Sequence, residues 1–154
     1  MPTVSEFIRR LSNFSMITFV PDFVSPAVAA WAEGAKQAAT AEGLDPRDWE
    51  AMNTFTARYP EPAPQATLAD VVAHLEHARE VAGIEHLGLG GDFDGVTTLP
   101  VGLEDVSTYP RLLDALRAQH WSAADLELLT HANITRALRG AERVAYAMRS
   151  STSP

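Results

Sequence analysis

His86-Leu87-Gly88-Leu89-Gly90-Gly91-Asp92-Phe93-Asp94-Gly95-Val96 is the stretch whose reading decides the fold. Leu87 and Leu89 alternate with small residues as on a short strand, and Gly90-Gly91 opens the backbone for a sharp exit. Asp92 and Asp94 follow at once, flanking one aromatic where the strand hands over to a loop. That is the place where α/β proteins carry their chemistry.

Immediately upstream, Thr67 to Ala82 reads as the clearest helix of the chain. Thr67 and Asp70 form a capping pair, Leu68, Val71, Val72, Leu75 and Ala78 make one apolar stripe, and Gly83 ends it. Further back, Ser15 to Val20 is β-branched and aromatic and stops at Pro21, the pattern of a buried strand. A helix feeding the second of two strands is the βαβ arrangement of a parallel sheet. Between them, Ala27 to Glu42 is an Ala-rich helix stopped by Gly43. A second helix is expected from Asp45-Pro46, with proline at its first position, and it fades before Tyr59-Pro60. Pro60 to Pro64 is a linker inside a domain. A short helix is expected over Ser5 to Leu11, with Phe7, Ile8 and Leu11 on one side.

Downstream, Arg111 to Gln119 reads as a helix with Leu112, Leu113 and Leu116 inward. Ser122 and Asp125 cap the next, which runs toward Leu129, and a last helix holds Ile134, Leu138 and Val144. Residues 1–149 are expected to form a single partial domain and 150–154 a disordered tail. The inventory is short of strands, since two parallel strands cannot shield both faces and close a core.

With 154 residues and 46% hydrophobic content, the chain has the size and composition of one soluble globular domain. Its net charge of -8, with no basic run longer than Arg9-Arg10, disfavours nucleic acid as a partner. No cysteine is present, which excludes disulfides, thiolate nucleophiles and cysteine-based zinc sites and fits a cytoplasmic location. Arg9-Arg10 ahead of Met16 to Val20 imitates a signal peptide, but Pro21 and Asp22 cut the apolar run short. No stretch approaches the roughly 20 apolar residues of a membrane span.

Among the titratable groups, Asp92 reads as a functional carboxylate, an acid/base group or a metal ligand, because a charge beside a buried strand end needs a partner. Asp94 before Gly95 reads as turn chemistry. A calcium loop starting at Asp92 fails on spacing, with Gly95 fourth where a sixth-position glycine is needed and Glu104 thirteenth where a twelfth-position glutamate is needed. His74, His77, His86, His120 and His131 form no metal-binding motif, and His74 and His77 fall off the apolar stripe of their helix as solvated residues. Gly88, Gly90 and Gly91 open no helix, so they are no dinucleotide fingerprint, and no Gly-x-Ser-x-Gly elbow exists. Glu104-Asp105 belongs to a loop and helix start.

Thr67 to His77, Val81-Ala82-Gly83, Leu87 to Val96 and Gly102-Leu103-Glu104-Asp105-Val106-Ser107-Thr108-Tyr109-Pro110, in this order, closely resemble the membrane dipeptidase (renal dipeptidase-like) family of zinc dipeptidases. Met16 to Ser25 is similar to that family's seventh barrel strand and following loop, and the likeness spans residues 15–140. The resemblance implies an α/β fold, the C-terminal part of an amidohydrolase-type (β/α)8 TIM barrel: its last two strands plus helices, incomplete as a barrel. It further implies a metal-dependent dipeptidase with two zinc ions and a dipeptide substrate. Asp92 matches the family's proton-transferring aspartate and is the catalytic and substrate-binding candidate, with Phe23 as a second substrate-binding candidate. The family's metal ligands lie upstream of the matched region, so no metal ligand is assigned in this chain. Thr18 stands where the family often has Asn, and His131-Ala132-Asn133 where Gly-Gly-Asn is common. A chain of this kind is expected to be a C-terminal fragment that pairs with a missing N-terminal segment or self-associates as a homo-oligomer; the alternative is a noncatalytic remnant.

Overall fold

Two strands, β1 (Ser15–Thr18) and β2 (Leu87–Gly91), pair in parallel in the computed structural model, which describes residues 14–151. The helix expected over Ser5 to Leu11 and the last three residues of the expected tail lie outside the described residues. Around the strands run α1 (Pro21–Val24), α2 (Pro26–Ala41), α3 (Trp49–Ala57), α4 (Leu68–Ala82), α5 (Tyr109–Ala118), α6 (Ala123–Glu127) and α7 (Asn133–Ser151). No helix among the described residues is long and apolar enough to cross a membrane. The described residues form two compact units, one of residues 14–18, 75–91 and 110–151, the other of residues 19–74 and 92–109.

In the first unit, Ser15 pairs with Leu87, Met16 with Gly88 and Ile17 with Leu89, but Thr18 pairs with Gly91. Gly90 is therefore an extra residue on β2, a bulge of the kind that re-aims whatever follows it. The glycines here have steric causes. A Cβ on Gly88 would run into the Phe14 ring and come within 3.1 Å of the Met16 sulfur, and one on Gly90 would lie 3.2 Å from the Ile17 carbonyl. β1, expected as a buried strand, is only half covered, with Met16 exposed. Leu75, Leu87, Leu112, Leu116 and Leu129 are the fully buried leucines of this unit.

A single turn of π-helix, Leu128–Ala132, joins α6 to α7 and packs on β2. It delivers Asn133, fully buried, to the start of that strand: its Nδ2 donates to the carbonyls of Ile84 (2.7 Å) and Leu87 (2.9 Å). Arg136 adds a bond to the Asn133 Oδ1 at 3.3 Å and another to the Glu85 carbonyl. The expected cap at Ser122 is a full capping box with Asp125. Arg79 of α4 pairs with Asp125 at 3.0 Å and lies over the Trp121 ring, 4.6 Å from its centroid, while the Trp121 indole donates to Glu76. α7 continues through Ser151, two residues into the expected tail, and Ser150 donates to the Tyr146 carbonyl. Burial along α7 is nearly confined to its first turn: Leu138 and Val144 are 60% and 59% exposed, so this helix carries an uncovered apolar face.

In the second unit, α2 and α3 pack through Ala35, Ala39 and Phe55, with Leu44, Met52 and Tyr59 around them. The second helix begins three residues later than expected, at Trp49. Asp48 is the residue that caps it, accepting from Ala51 N at 3.0 Å, whereas Asp45 is occupied by Arg47. The Pro60 to Pro64 linker is pinned by the Trp31 indole, which donates to the Glu61 carbonyl at 2.8 Å, and Trp31 meets the Tyr59 ring edge-on. The start of α4 is tied to the loop before α5, since Leu68 N donates to the Val101 carbonyl and Val101 N to the Ala66 carbonyl, each at 2.9 Å. Asp70 accepts from Thr67 N (2.8 Å) and Oγ1 (2.6 Å), the expected cap in reciprocal form.

These caps make the fold acid-sensitive. The Thr67 hydroxyl holds the Asp70 carboxyl below its ordinary 3.8, and the Ser122 backbone N–H, helped by the Ser122 hydroxyl and Arg79, does the same for Asp125. Groups with depressed folded values stabilise fully above their unfolded values and lose that contribution as pH falls through the folded ones. Urea midpoints should therefore be flat above about pH 5 and drop steeply below about pH 4. In Asp125→Asn with Asp70→Asn the drop should be shallower, and an equal drop would contradict this assignment.

Candidate active site

Gly91 and Asp92 leave the bulged strand with φ of 68° and 71°. For glycine the left-handed region carries no steric penalty; for aspartate it is one of the few non-glycine options. From there the chain makes a turn, closed by the Gly95 N–H donating to the Asp92 carbonyl at 3.2 Å. The expected turn is present, but it is closed by the Asp92 backbone and not by the Asp94 side chain. Both carboxylates are exposed.

Between them, the Phe93 ring meets Phe19 edge-on at 5.9 Å (78°) and Tyr109 at 5.7 Å (49°), and Phe19 meets Tyr109 at 5.9 Å (81°). Three aromatics in mutual contact fix the turn from one side, and Phe19 is completely buried. Burial pushes the Tyr109 hydroxyl above the usual phenol range. Sequence reasoning missed this triangle, because its members come from the end of β1, the turn and the start of α5, and no local period links them. Glu104 and Asp105 lie in the loop before α5 as expected: Glu104 accepts from Gly102 N at 2.6 Å, and Asp105 caps the turn Val106–Thr108 by accepting from Ser107 N at 2.7 Å.

Phe23 lies on the one-turn helix α1 and is 65% exposed, so its ring is available to a ligand. No hydrogen bond or ring contact joins it to Asp92 among the described residues.

The five histidines are scattered. His74 and His77 lie on α4, half-buried and exposed respectively; His86 precedes β2; His120 takes a left-handed φ of 64° after α5; His131, in the π turn, faces Thr130 and Glu127. Among the described residues no three His, Asp or Glu side chains come together as metal ligands.

Against known proteins, the chain is 43% identical to dipeptidase 3 of Macaca fascicularis over 79 residues, 51% of this chain and 16% of that protein. It is 42% identical to dipeptidase 3 of Homo sapiens over 79 residues, again 51% of this chain and 16% of the relative. Dipeptidase aclJ of Aspergillus oryzae is 45% identical over 83 residues, 54% of this chain and 20% of that protein. The matched stretch thus spans a fifth or less of these relatives. The crystal structure of the probable dipeptidase PvdM from Pseudomonas aeruginosa shares the fold over 86% of this chain and 38% of its own, with a TM-score of 0.67 at 19% identity. Residues 6–152 match the sequence model of the membrane dipeptidase family, peptidase family M19, and the chain belongs to that family.

Proposed function

We propose that this chain carries the proton-transfer side of a dipeptidase active site, with Asp92 as its acid/base group. The observation that carries the reading is Asp92 itself: an exposed aspartate held in a left-handed conformation directly after a bulged parallel strand, in a chain of the dipeptidase family. In hydrolysis of a dipeptide, the Asp92 carboxylate takes a proton from the attacking water as the new C–O bond forms. It then returns that proton to the amine nitrogen as the C–N bond breaks. Phe23, on the one-turn helix α1 that follows β1, offers an apolar contact to a substrate side chain. In this reading β1 and β2 are the last two strands of a (β/α)8 barrel, and residues 1–149 are one partial domain of it.

The resemblance to zinc dipeptidases calls for two zinc ions, and the donors here do not fit them: no pair of histidines is supported by a third ligand among the described residues. A second reading, a self-associating module without hydrolase activity, is favoured by one observation: among the described residues the apolar face of α7 is exposed and the sheet has only two strands. One experiment separates the two. Zinc content, dipeptide turnover and sedimentation are measured on the purified chain, alone and mixed with a polypeptide that carries the metal-binding region of a family member. Turnover that appears only in the mixture supports the proposal, and a stable homo-oligomer inactive in both supports the module.

A further inference from the structure

Gly95 is a glycine for a reason that its turn does not supply. Its φ lies outside the left-handed region, unlike Gly43, Gly83, Gly91 and Gly102, so an alanine would suit the backbone. What stands in the way is Asp92: a Cβ built on Gly95 would overlap the Asp92 Oδ1 and lie 2.8 Å from Cγ and 3.1 Å from Oδ2, with no other atom among its nearest neighbours. The Asp92 carboxylate therefore occupies the space of the missing side chain. A two-bond side chain fixed at a strained Cα has few other places to go, because its rotamers are three staggered wells.

The opposite flank of the turn is held by Phe93, wedged between Phe19 and Tyr109. The ring fixes the turn backbone, and the absence of a Cβ at Gly95 leaves open the rotamer that the carboxylate adopts. We propose that Gly95 and Phe93 are positioning residues for Asp92, setting the direction in which its carboxylate is presented. The catalytic consequence rests on the reading of Asp92 given above, but the placement is a property of the folded chain and is measured without turnover.

Two readouts test it. The three-bond couplings from the Asp92 Cγ to its backbone N and carbonyl carbon report its χ1 rotamer in solution. In the unaltered chain they should correspond to one staggered rotamer; in Gly95→Ala they should move to another, and in Phe93→Leu they should average, while Phe93→Tyr restores the original values. The second readout is urea unfolding. Gly95→Ala should lower the midpoint in the unaltered chain but raise it in an Asp92→Gly background, where the carboxylate is gone and alanine only restricts the unfolded chain. Unchanged couplings in both Gly95→Ala and Phe93→Leu, or the same midpoint change in both backgrounds, would overturn the inference. Absence of dipeptide turnover in the zinc-loaded mixture described above would count against the role of Asp92 alone and leave both readouts standing.

Discussion

Asn133→Ala should destabilise the protein by about 2 kcal/mol, since it leaves the buried Leu87 carbonyl without its amide donor, at roughly 1–3 kcal/mol, and removes a second bond to the Ile84 carbonyl. The Asn133 side chain is fully buried, and its amide bridges the carbonyls of Ile84 and Leu87 on either side of the entry into β2. The Ile84 carbonyl keeps the Leu87 N–H as a donor, so the loss falls mainly on the buried Leu87 carbonyl, which the nearby Arg136 guanidinium does not serve because it is engaged with Glu85 and with Asn133 itself. Asn133→Asp should be at least as damaging, for a carboxylate cannot donate and would be buried facing two acceptors. Arg136→Ala, on an exposed residue, should cost under about 1 kcal/mol. In thermal unfolding Asn133→Ala should melt roughly 6 °C lower, at 2–4 °C per kcal/mol for a chain of this size. A loss below about 0.5 kcal/mol, the range of ordinary surface substitutions, would show that the bridge does not hold β2.

Asp92→Asn should lower kcat for dipeptide hydrolysis by about 10²–10⁴, the usual worth of a positioned acid/base group, with KM little changed. The substitution is unusually clean. Asparagine is as tolerant of the left-handed region as aspartate and nearly isosteric with it, so the turn and its Gly95 bond should persist. It cannot accept and return a proton. Stability should therefore stay within about 0.5 kcal/mol while catalysis collapses, which a purely structural Asp92 would not produce.

Local chemistry made much of this molecule readable in its sequence. Thr67 with Asp70, Ser122 with Asp125, and Gly43 and Gly83 as helix stops depend on residues within four positions of one another, and each was found where the pattern placed it. The strand before Asp92 was legible because leucines alternated with glycines, although the steric cause of those glycines, Met16 on the neighbouring strand and Phe14 just before it, was not. Misplacement came where two local solutions competed. Asp45-Pro46 and Asp48 are both valid helix starts, and the side chain of Arg47 decided for the second by engaging Asp45. The π turn at Leu128–Ala132 left no trace in periodicity, because one extra residue per turn shifts a pattern only after the turn has passed. The last helix was legible from Ile134, Leu138 and Val144, but the exposure of Leu138 and Val144 was not, because an apolar stripe states that a face needs cover, not that cover is present.

Within the candidate site, Asp92 could be singled out from its place at a strand end, and its family likeness supplied the role. Its supports could not be. Phe19 and Tyr109 lie far from it in sequence, and the use of Gly95 as space for a carboxylate is invisible without coordinates.

The most direct test is a chimera in which residues 6–152 of this chain replace the matching segment of a full-length dipeptidase of the family, loaded with zinc, and dipeptide hydrolysis is compared between Asp92 and Asp92→Asn. The expected result is turnover with aspartate and a loss of at least about 10² in kcat with asparagine, at similar KM and melting temperature. Equal turnover by the two folded, zinc-loaded chimeras would contradict the assignment of Asp92 as the proton-transferring group.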